Sequence, residues 1–460
     1  MSEAAQIFIK ASKLKAFDKV HRATLNKNIG KYDQAVFRGK QQYQDLETAR
    51  NRAANIKRKA INDLDKYLIE FEQNFTSNGG KVIWAVDAAE ANREIVKILI
   101  EKKINLVVKS KSMTTEELDL NAVLDKIKIE AIETDLGEFI VQLGGEKPYH
   151  IVTPAMHKSK EEIAKLFNEK FDWDINLTPE EMTNMVRIKL REKFYNAGAG
   201  ITGANFLIAD TGSIALTENE GNGVLSMAFP KVHIIVAGIE KIIPSINDLN
   251  TLWPLLATHG TGQHITVYNS IVTGTKKDKE TDGPKETFVI LLNNKRTEVL
   301  KQNHQKVALT CIRCGACLNA CPVYKNIGGH TYKTTYTGPI GSVISPWLLG
   351  MENYKHLSFA STLCGACTDV CPVRIPLQEL LLENRKASVE QDLTTSSERF
   401  VVKTATSFLL KRKKMDMFGS GLKNFFISMF MGKAWGNKRS LPKIANKSFN
   451  QQWMEKQSQK

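Results

Sequence analysis

All seven cysteines of this 460-residue chain lie in two short runs. The first is Cys311-Ile-Arg-Cys314-Gly-Ala-Cys317-Leu-Asn-Ala-Cys321-Pro322, with the spacing C-x2-C-x2-C-x3-C-P. The second is Ser361-Thr-Leu-Cys364-Gly-Ala-Cys367-Thr-Asp-Val-Cys371-Pro372, the same pattern with serine in the first place. An odd number of cysteines, confined to two runs of a long chain, does not make a disulfide framework. Each run instead has to fold as a loop that turns several thiols toward one point.

That spacing suits iron–sulfur ligation. Soft thiolates bind the iron of cubane clusters, and in two-cluster ferredoxins the fourth cysteine of each C-x2-C-x2-C-x3-C-P run ligates the other cluster. Pro322 and Pro372 then turn the chain away with a fixed φ and no N–H. Crossing the ligands in this way gives Cys311, Cys314, Cys317 and Cys371 to a first 4Fe–4S cluster. The second 4Fe–4S cluster receives Cys321, Cys364 and Cys367, only three thiolates. Ser361 holds the remaining corner, so this cluster is 4Fe–4S with a serine, water or non-protein ligand, or else 3Fe–4S; alternatively Ser361 simply caps a turn. Zinc ribbons also use C-x2-C pairs, but not three close cysteines followed by Cys-Pro, twice. The link between the runs, including Tyr332 to Pro346, is too long for a small ferredoxin and predicts a helical dicluster domain.

The remainder divides by composition. Residues 1–75 are polar, mixed in charge and predicted to form a helical layer that ends before Ser77-Asn-Gly-Gly. Residues 76–300 alternate β-branched runs with helical periodicity. Strands are predicted at Val82–Val86, Leu106–Val108, Phe139–Leu143, Ile151–Thr153, Val232–Ala237, His264–Tyr268 and Phe288–Leu292. Helices are predicted at Ala88–Glu101, Thr114–Lys126, Lys160–Asn168, Pro179–Tyr195 and Asp248–Ala257. This alternation predicts an α/β domain with a mostly parallel sheet covered on both faces. Phe206–Leu216, two apolar runs around Asp-Thr-Gly-Ser, predicts a hairpin or tight turn. Residues 301–390 are the cysteine domain, closed by a helix starting near Leu377. Residues 391–460 form a basic segment.

The formal net charge is +15. Residues 401–460 hold thirteen Lys or Arg against two acids, which favours acidic partners or surfaces. Within them Phe408–Trp435 mixes basic and aromatic residues, and reads either as peripheral membrane contact or as a helix docked on protein. Gly419, Gly421 and Gly432 would interrupt a helix there and favour the docked reading. No secretory h-region or run of about 18 apolar residues is present, so a cytoplasmic protein is expected.

Other polar groups read more simply as structural. Thr258–His264 is Gly-rich with two histidines and could line an anion site, though an ordinary loop is the simpler reading. Asp210–Ser213 reads as a turn, and His150 and His157 as structural. There is no GxGxxG after a first strand and no P-loop, so neither nicotinamide nor ATP is indicated.

Several stretches resemble the lactate utilization protein B family: Pro322–Tyr332, Gly338–Pro346, Glu133–Leu143, His150–Lys158 and Gly203–Ser213. The resemblance implies a CoA-transferase-like parallel-sheet domain, of the LUD type, followed by an α-helical dicluster ferredoxin domain with two 4Fe–4S clusters. It also implies that three cysteines in the second run are ordinary. The family acts with two partners, proteins A and C, to oxidise L-lactate to pyruvate. The expected function is therefore electron transfer within that complex rather than stand-alone catalysis, with catalytic residues and the electron acceptor left open. Two alternatives are a catalytic oxidoreductase binding substrate at the incomplete second cluster, and a redox-responsive nucleic-acid or membrane binder using the basic tail; nucleic acid is not expected.

Overall fold

The computed structural model describes residues 1–435 and 440–459. Residues 1–388 pack as one compact unit and residues 389–460 as a second. The first unit opens with four helices, Glu3–Phe17, Lys19–Gly39, Leu46–Asn62 and Leu64–Ser77. Ser2, Asp18 and Asp45 cap the first three by accepting backbone N–H groups in the first turn. The layer ends at Ser77, where the sequence places its end.

Among the described residues ten strands follow: β1 (Lys81–Ala85), β2 (Leu106–Lys109), β3 (Glu130–Glu133), β4 (Ala199–Thr202), β5 (Phe206–Ile208), β6 (Ser213–Glu218), β7 (Val232–Gly238), β8 (Ile242–Ile243), β9 (Tyr268–Val272) and β10 (Glu286–Leu292). Six of them form one sheet in the order β1-β10-β7-β4-β2-β3, and every pairing is parallel. Central strand β7 is buried along its whole length, which is why its sequence is apolar except for His233, whose Nε2 lies 2.8 Å from the Thr202 hydroxyl. Successive residues serve opposite faces. Ile234, Val236, Ile290 and Leu292 pack beneath the helix Ala88–Glu101, whereas Ile235, Ala237, Val289 and Leu291 join the core that reaches the N-terminal helices and the cysteine region. Burying each of these Ile, Val or Leu side chains contributes roughly 1.5–3 kcal/mol.

The hairpin at Phe206–Leu216 is present as β5 and β6, paired antiparallel. It nucleates a second sheet in the order β8-β5-β6-β9. Three strand expectations fail. Phe139–Leu143 lies in the helix Leu136–Leu143, because Asp135 caps it by accepting the N–H of Glu138 and short apolar runs do not distinguish helix from strand. Ile151–Thr153 is irregular: Nδ1 of His150 accepts the N–H groups of Val152 and Thr153, so these donors are satisfied locally and need no ladder. The strand expected at His264–Tyr268 starts only at Tyr268. The helix expected over Thr114–Lys126 is two, Met113–Glu117 and Leu120–Lys126, broken at Asp119 with φ of 51°.

In the second unit, Ser420–Trp435 is helical despite Gly421 and Gly432, because these stand in its first and last turns, where they disturb least. Phe425, Met429 and Phe430 on it are exposed. Among the described residues no helix is long and apolar enough to cross a membrane.

Beyond the carboxyl end of β7, Glu240 is fully enclosed, 1% exposed. Its carboxylate accepts Nε of Arg296 and Nη2 of Arg313 (3.3 Å), and Arg296 also forks onto Glu117 at 2.8 Å. Burial alone would raise the Glu240 carboxyl, but Arg296, Arg313 and Lys241 outweigh it and hold it at about 2. Folding is thus linked to an ionised Glu240. The contribution is complete above the ordinary carboxyl value of 4.5 and disappears as the pH falls from there toward about 2. Urea midpoints measured between pH 6 and pH 3 should fall steeply at the acid end. In Glu240→Gln that acid slope should be shallower, from a lower starting stability of roughly 3–5 kcal/mol less.

Candidate metal centre

The two cysteine runs fold as a structural repeat. Arg313 and Leu363 occupy the left-handed region at φ of 61° and 55°, followed by Gly315 and Gly365 at 80° and 86°. Short helices follow each, Ala316–Ala320 and Ala366–Asp369. Non-glycine residues with positive φ are held there only when the surroundings demand it. Here the demand is a tight loop that curls around one point. Sγ of Cys311 accepts the N–H of Arg313 at 3.4 Å, and Oγ of Ser361 accepts the N–H of Leu363 at 3.1 Å. Ser361 therefore stands where Cys311 stands in the first loop, and caps its own turn.

The sulfurs gather across the repeat. Cys311, Cys314, Cys317 and Cys371 line one small cavity, whose walls are otherwise mainly apolar, among them Ile312, Ile340 and Val373. Cys321, Cys364 and Cys367 are one another's electrostatic neighbours. None of the seven is in a disulfide. Cys314, Cys317, Cys367 and Cys371 are buried, Cys311 and Cys321 half-buried, and Cys364 exposed. Burial pushes the thiols of Cys371 and Cys367 up to about 11 and drives Cys314 and Cys317 up as well. Thiolates become stable in such a place when cations replace their protons. Backbone N–H groups already point at sulfur, from Tyr324 to Cys321 (3.5 Å) and from Ile375 to Cys371 (3.3 Å).

The surroundings of the first set fit an anionic cluster. Four buried basic side chains, Lys57, Lys241, Arg296 and Arg313, face two buried carboxylates, Glu117 and Glu240. The excess positive charge lies beside Cys311, whose sulfur acts electrostatically on Lys57, Lys241 and Arg313. Unscreened by water, such charge is costly unless an anion answers it. Nζ of Lys57 donates to the carbonyls of Glu240 (2.7 Å) and Ile242 (2.9 Å), and burial draws its pKa down to about 7.

The remaining sequence candidates scatter. Thr258–Thr261 are the last residues of the helix Leu249–Thr261, not a loop. His259 lies inside it, with Nδ1 2.9 Å from the Leu255 carbonyl oxygen and a pKa drawn down to about 4 by burial. Asp210 accepts the N–H of Ile246 and belongs to the β5–β6 turn. His150 is buried near the first cysteine loop, and His157 stacks on Tyr149 at 4.5 Å with Nε2 2.8 Å from Glu146.

Residues 68–292 match the LUD domain and residues 307–375 the 4Fe-4S dicluster domain. The lactate utilization protein B of Bacillus subtilis (strain 168) is 44% identical over 379 residues, covering 82% of this chain and 78% of that protein. The chain belongs to the lactate utilization protein B family. It is also 39% identical over 425 residues to the uncharacterized electron transport protein YkgF of Escherichia coli (strain K12), covering 90% of this chain and 89% of that protein. A crystal structure of a DUF162 family protein from Deinococcus radiodurans overlaps 50% of this chain and 99% of its own at 16% identity, with a TM-score of 0.29.

In this lactate utilization protein B family member, all seven cysteines fall inside the dicluster match, but two groups that brace them fall outside both matched regions. These are Lys57 and Arg50, from the N-terminal helix Leu46–Asn62. Nε and Nη2 of Arg50 donate to the carbonyl of Cys371 at 3.1 and 2.9 Å, and Nη2 also donates to that of Asp369 at 2.7 Å. Glu47 holds Arg50 from the other side and also meets Arg374. Nothing in the cysteine motif points to these residues. The only sequence signal is a pair of basic residues seven apart in a helix whose other inward residues are apolar. Arg50→Met should lower stability by about 1.5–3 kcal/mol, as loss of charged hydrogen bonds to buried carbonyls predicts. Denaturant titration followed by near-UV circular dichroism checks this; an unchanged midpoint would mean that Arg50 does not brace the second loop.

Proposed function

We propose that this protein is the iron–sulfur electron-transfer component of a system that oxidises L-lactate to pyruvate, working with partner proteins of the A and C type. Cys311, Cys314, Cys317 and Cys371 would hold one 4Fe–4S cluster. Cys321, Cys364 and Cys367 would hold the second, with no thiol at the Ser361 corner. When bound, such clusters pass single electrons, at potentials tuned by hydrogen bonds, charge and burial. The observation that carries the reading is the grouping of the thiols: the last cysteine of the second run joins the first three of the first run in one cavity. The lactate assignment rests on the relatives, which are lactate utilization proteins B.

The chain's own residues account for a division of labour. The first set is enclosed and braced by buried cations, which favour added negative charge and so raise a potential. The second set is nearer the surface, with Cys364 exposed, as suits exchange with a partner. Ser361 is occupied with its own turn, and Nη2 of Arg385 donates to its carbonyl at 3.1 Å.

Anaerobic preparations should contain about eight irons and matching sulfide. Cys371→Ala should damage the same spectroscopic signal as Cys311→Ala, although the two lie in different runs. Cys321→Ala should damage the signal lost in Cys364→Ala. Ser361→Cys should change only the second signal. If each alanine variant lost a signal shared with its own run, the crossed assignment would be wrong. One bound zinc without sulfide would reject the cluster reading altogether.

A further inference from the structure

Beside the first cysteine set lies a second, larger cavity of about 370 Å³. It opens at the carboxyl ends of β2, β3 and β4, where Lys111, Asp135 and Asn205 line it, and β7 leads to Lys241. Parallel sheets commonly bind ligands outside the carboxyl ends of their strands. Its far wall is the cysteine loop: Arg313 and Cys314 line both this cavity and the thiol-lined one. A molecule held here would lie against the loop of the first cysteine set.

The charged groups of the lining are three cations, Lys111, Lys241 and Arg313, and three acids, Asp135, Glu218 and Glu220. The acids are satisfied by the protein. Asp135 takes Nζ of Lys111 at 3.1 Å and the N–H of Glu138 at 3.0 Å. Glu218 accepts the N–H groups of Gly223 and Val224 at 2.7 and 2.8 Å, and Glu220 that of Leu136 at 3.1 Å. The cations on the cysteine side, which also lie beside Cys311, are not fully satisfied by the protein's own carboxylates and carbonyls. Lys241 is 9% exposed, and among the described residues its ammonium makes no hydrogen bond or ion pair. Arg313, lying over the Tyr336 ring at 4.4 Å, spends one nitrogen on Glu240, while its Nε and Nη1 have no partner. Buried donors of this kind are costly to leave unmet. Unmet cations at one end and satisfied acids at the other suit a monoanion with a neutral polar end better than a dianion.

We propose that this cavity binds a small monocarboxylate, its carboxylate on Lys241 and Arg313 and its hydroxyl or carbonyl oxygen toward the Asp135 side. The inference rests on the function proposed above and adds to it that this subunit itself holds a carboxylic acid beside the first cysteine set.

The test uses the full chain, loaded anaerobically with iron and sulfide. L-lactate and pyruvate are titrated calorimetrically, and electron paramagnetic resonance of the reduced protein is recorded with and without each. Saturable binding of at least one acid, with a changed signal from the first cluster, is expected. Lys241→Met should weaken that binding roughly tenfold or more, the size of a lost charge-assisted hydrogen bond. Ala204→Leu, which fills the cavity and removes no charge, should abolish binding while the iron count stays at the wild-type level. Absence of binding by both acids to iron-replete protein, or wild-type affinity in Ala204→Leu, would overturn the proposal and leave the electron-transfer reading standing. Binding by protein that takes up no iron would do the reverse, supporting the cavity and rejecting the clusters.

Discussion

A single buried carboxylate, Glu240, holds the working parts of this protein in register. It sits just past β7, the central strand, and its oxygens are shared by Arg296, which follows β10, and Arg313, which lies inside the first cysteine run. Lys57 reaches the Glu240 carbonyl from the N-terminal helical layer. Sheet, helical layer and cysteine loop are therefore joined at one point by groups that water cannot reach. Buried ion networks are weak sources of net stability, because desolvation opposes them, but breaking one is expensive. What this network supplies is position: it ties the loop that carries Cys311 and Cys314 to the carboxyl end of the sheet.

The same electrostatics explain why the two cysteine loops, alike in backbone, are unlike as sites. The first stands in a pocket with more buried cations than buried acids. The second stands nearer the surface, braced through its carbonyls by Arg50 and Arg385. The repeat also makes the serine intelligible. Ser361 performs the turn-capping hydrogen bond that Cys311 performs in the first loop, so the fold of the second loop survives without the thiol. Belonging to the lactate utilization protein B family, with LUD and 4Fe-4S dicluster matches in sequence order, agrees with a sheet domain and a cysteine domain that share one core.

Much of this was legible in the residues. The Asp-Thr-Gly-Ser turn marked the hairpin, Ser77-Asn-Gly-Gly stands at the end of the helix Leu64–Ser77, and the cysteine spacing suggested the thiol groups assigned under the proposed function. The misreadings share a cause. Phe139–Leu143 and Ile151–Thr153 are short β-branched runs, and their fates were set by local backbone hydrogen bonds accepted by Asp135 and His150, which periodicity does not register. His259 looked like a loop residue because glycines follow it, yet the helix Leu249–Thr261 continues through Gly260.

By itself, the sequence determined the chemistry: seven thiols in two loops of fixed spacing, a missing eighth, and a parallel α/β domain ahead of them. Such features are local, written in spacing and in the alternation of strand and helix. Only the tertiary structure decided which side chains surround the thiols. Arg50, Lys57, Glu117, Glu240 and Arg296 come from segments far from the motif, and nothing in their neighbouring residues marks them. Long-range burial brings them together, because a charge excluded from water must find its partner wherever the fold places one.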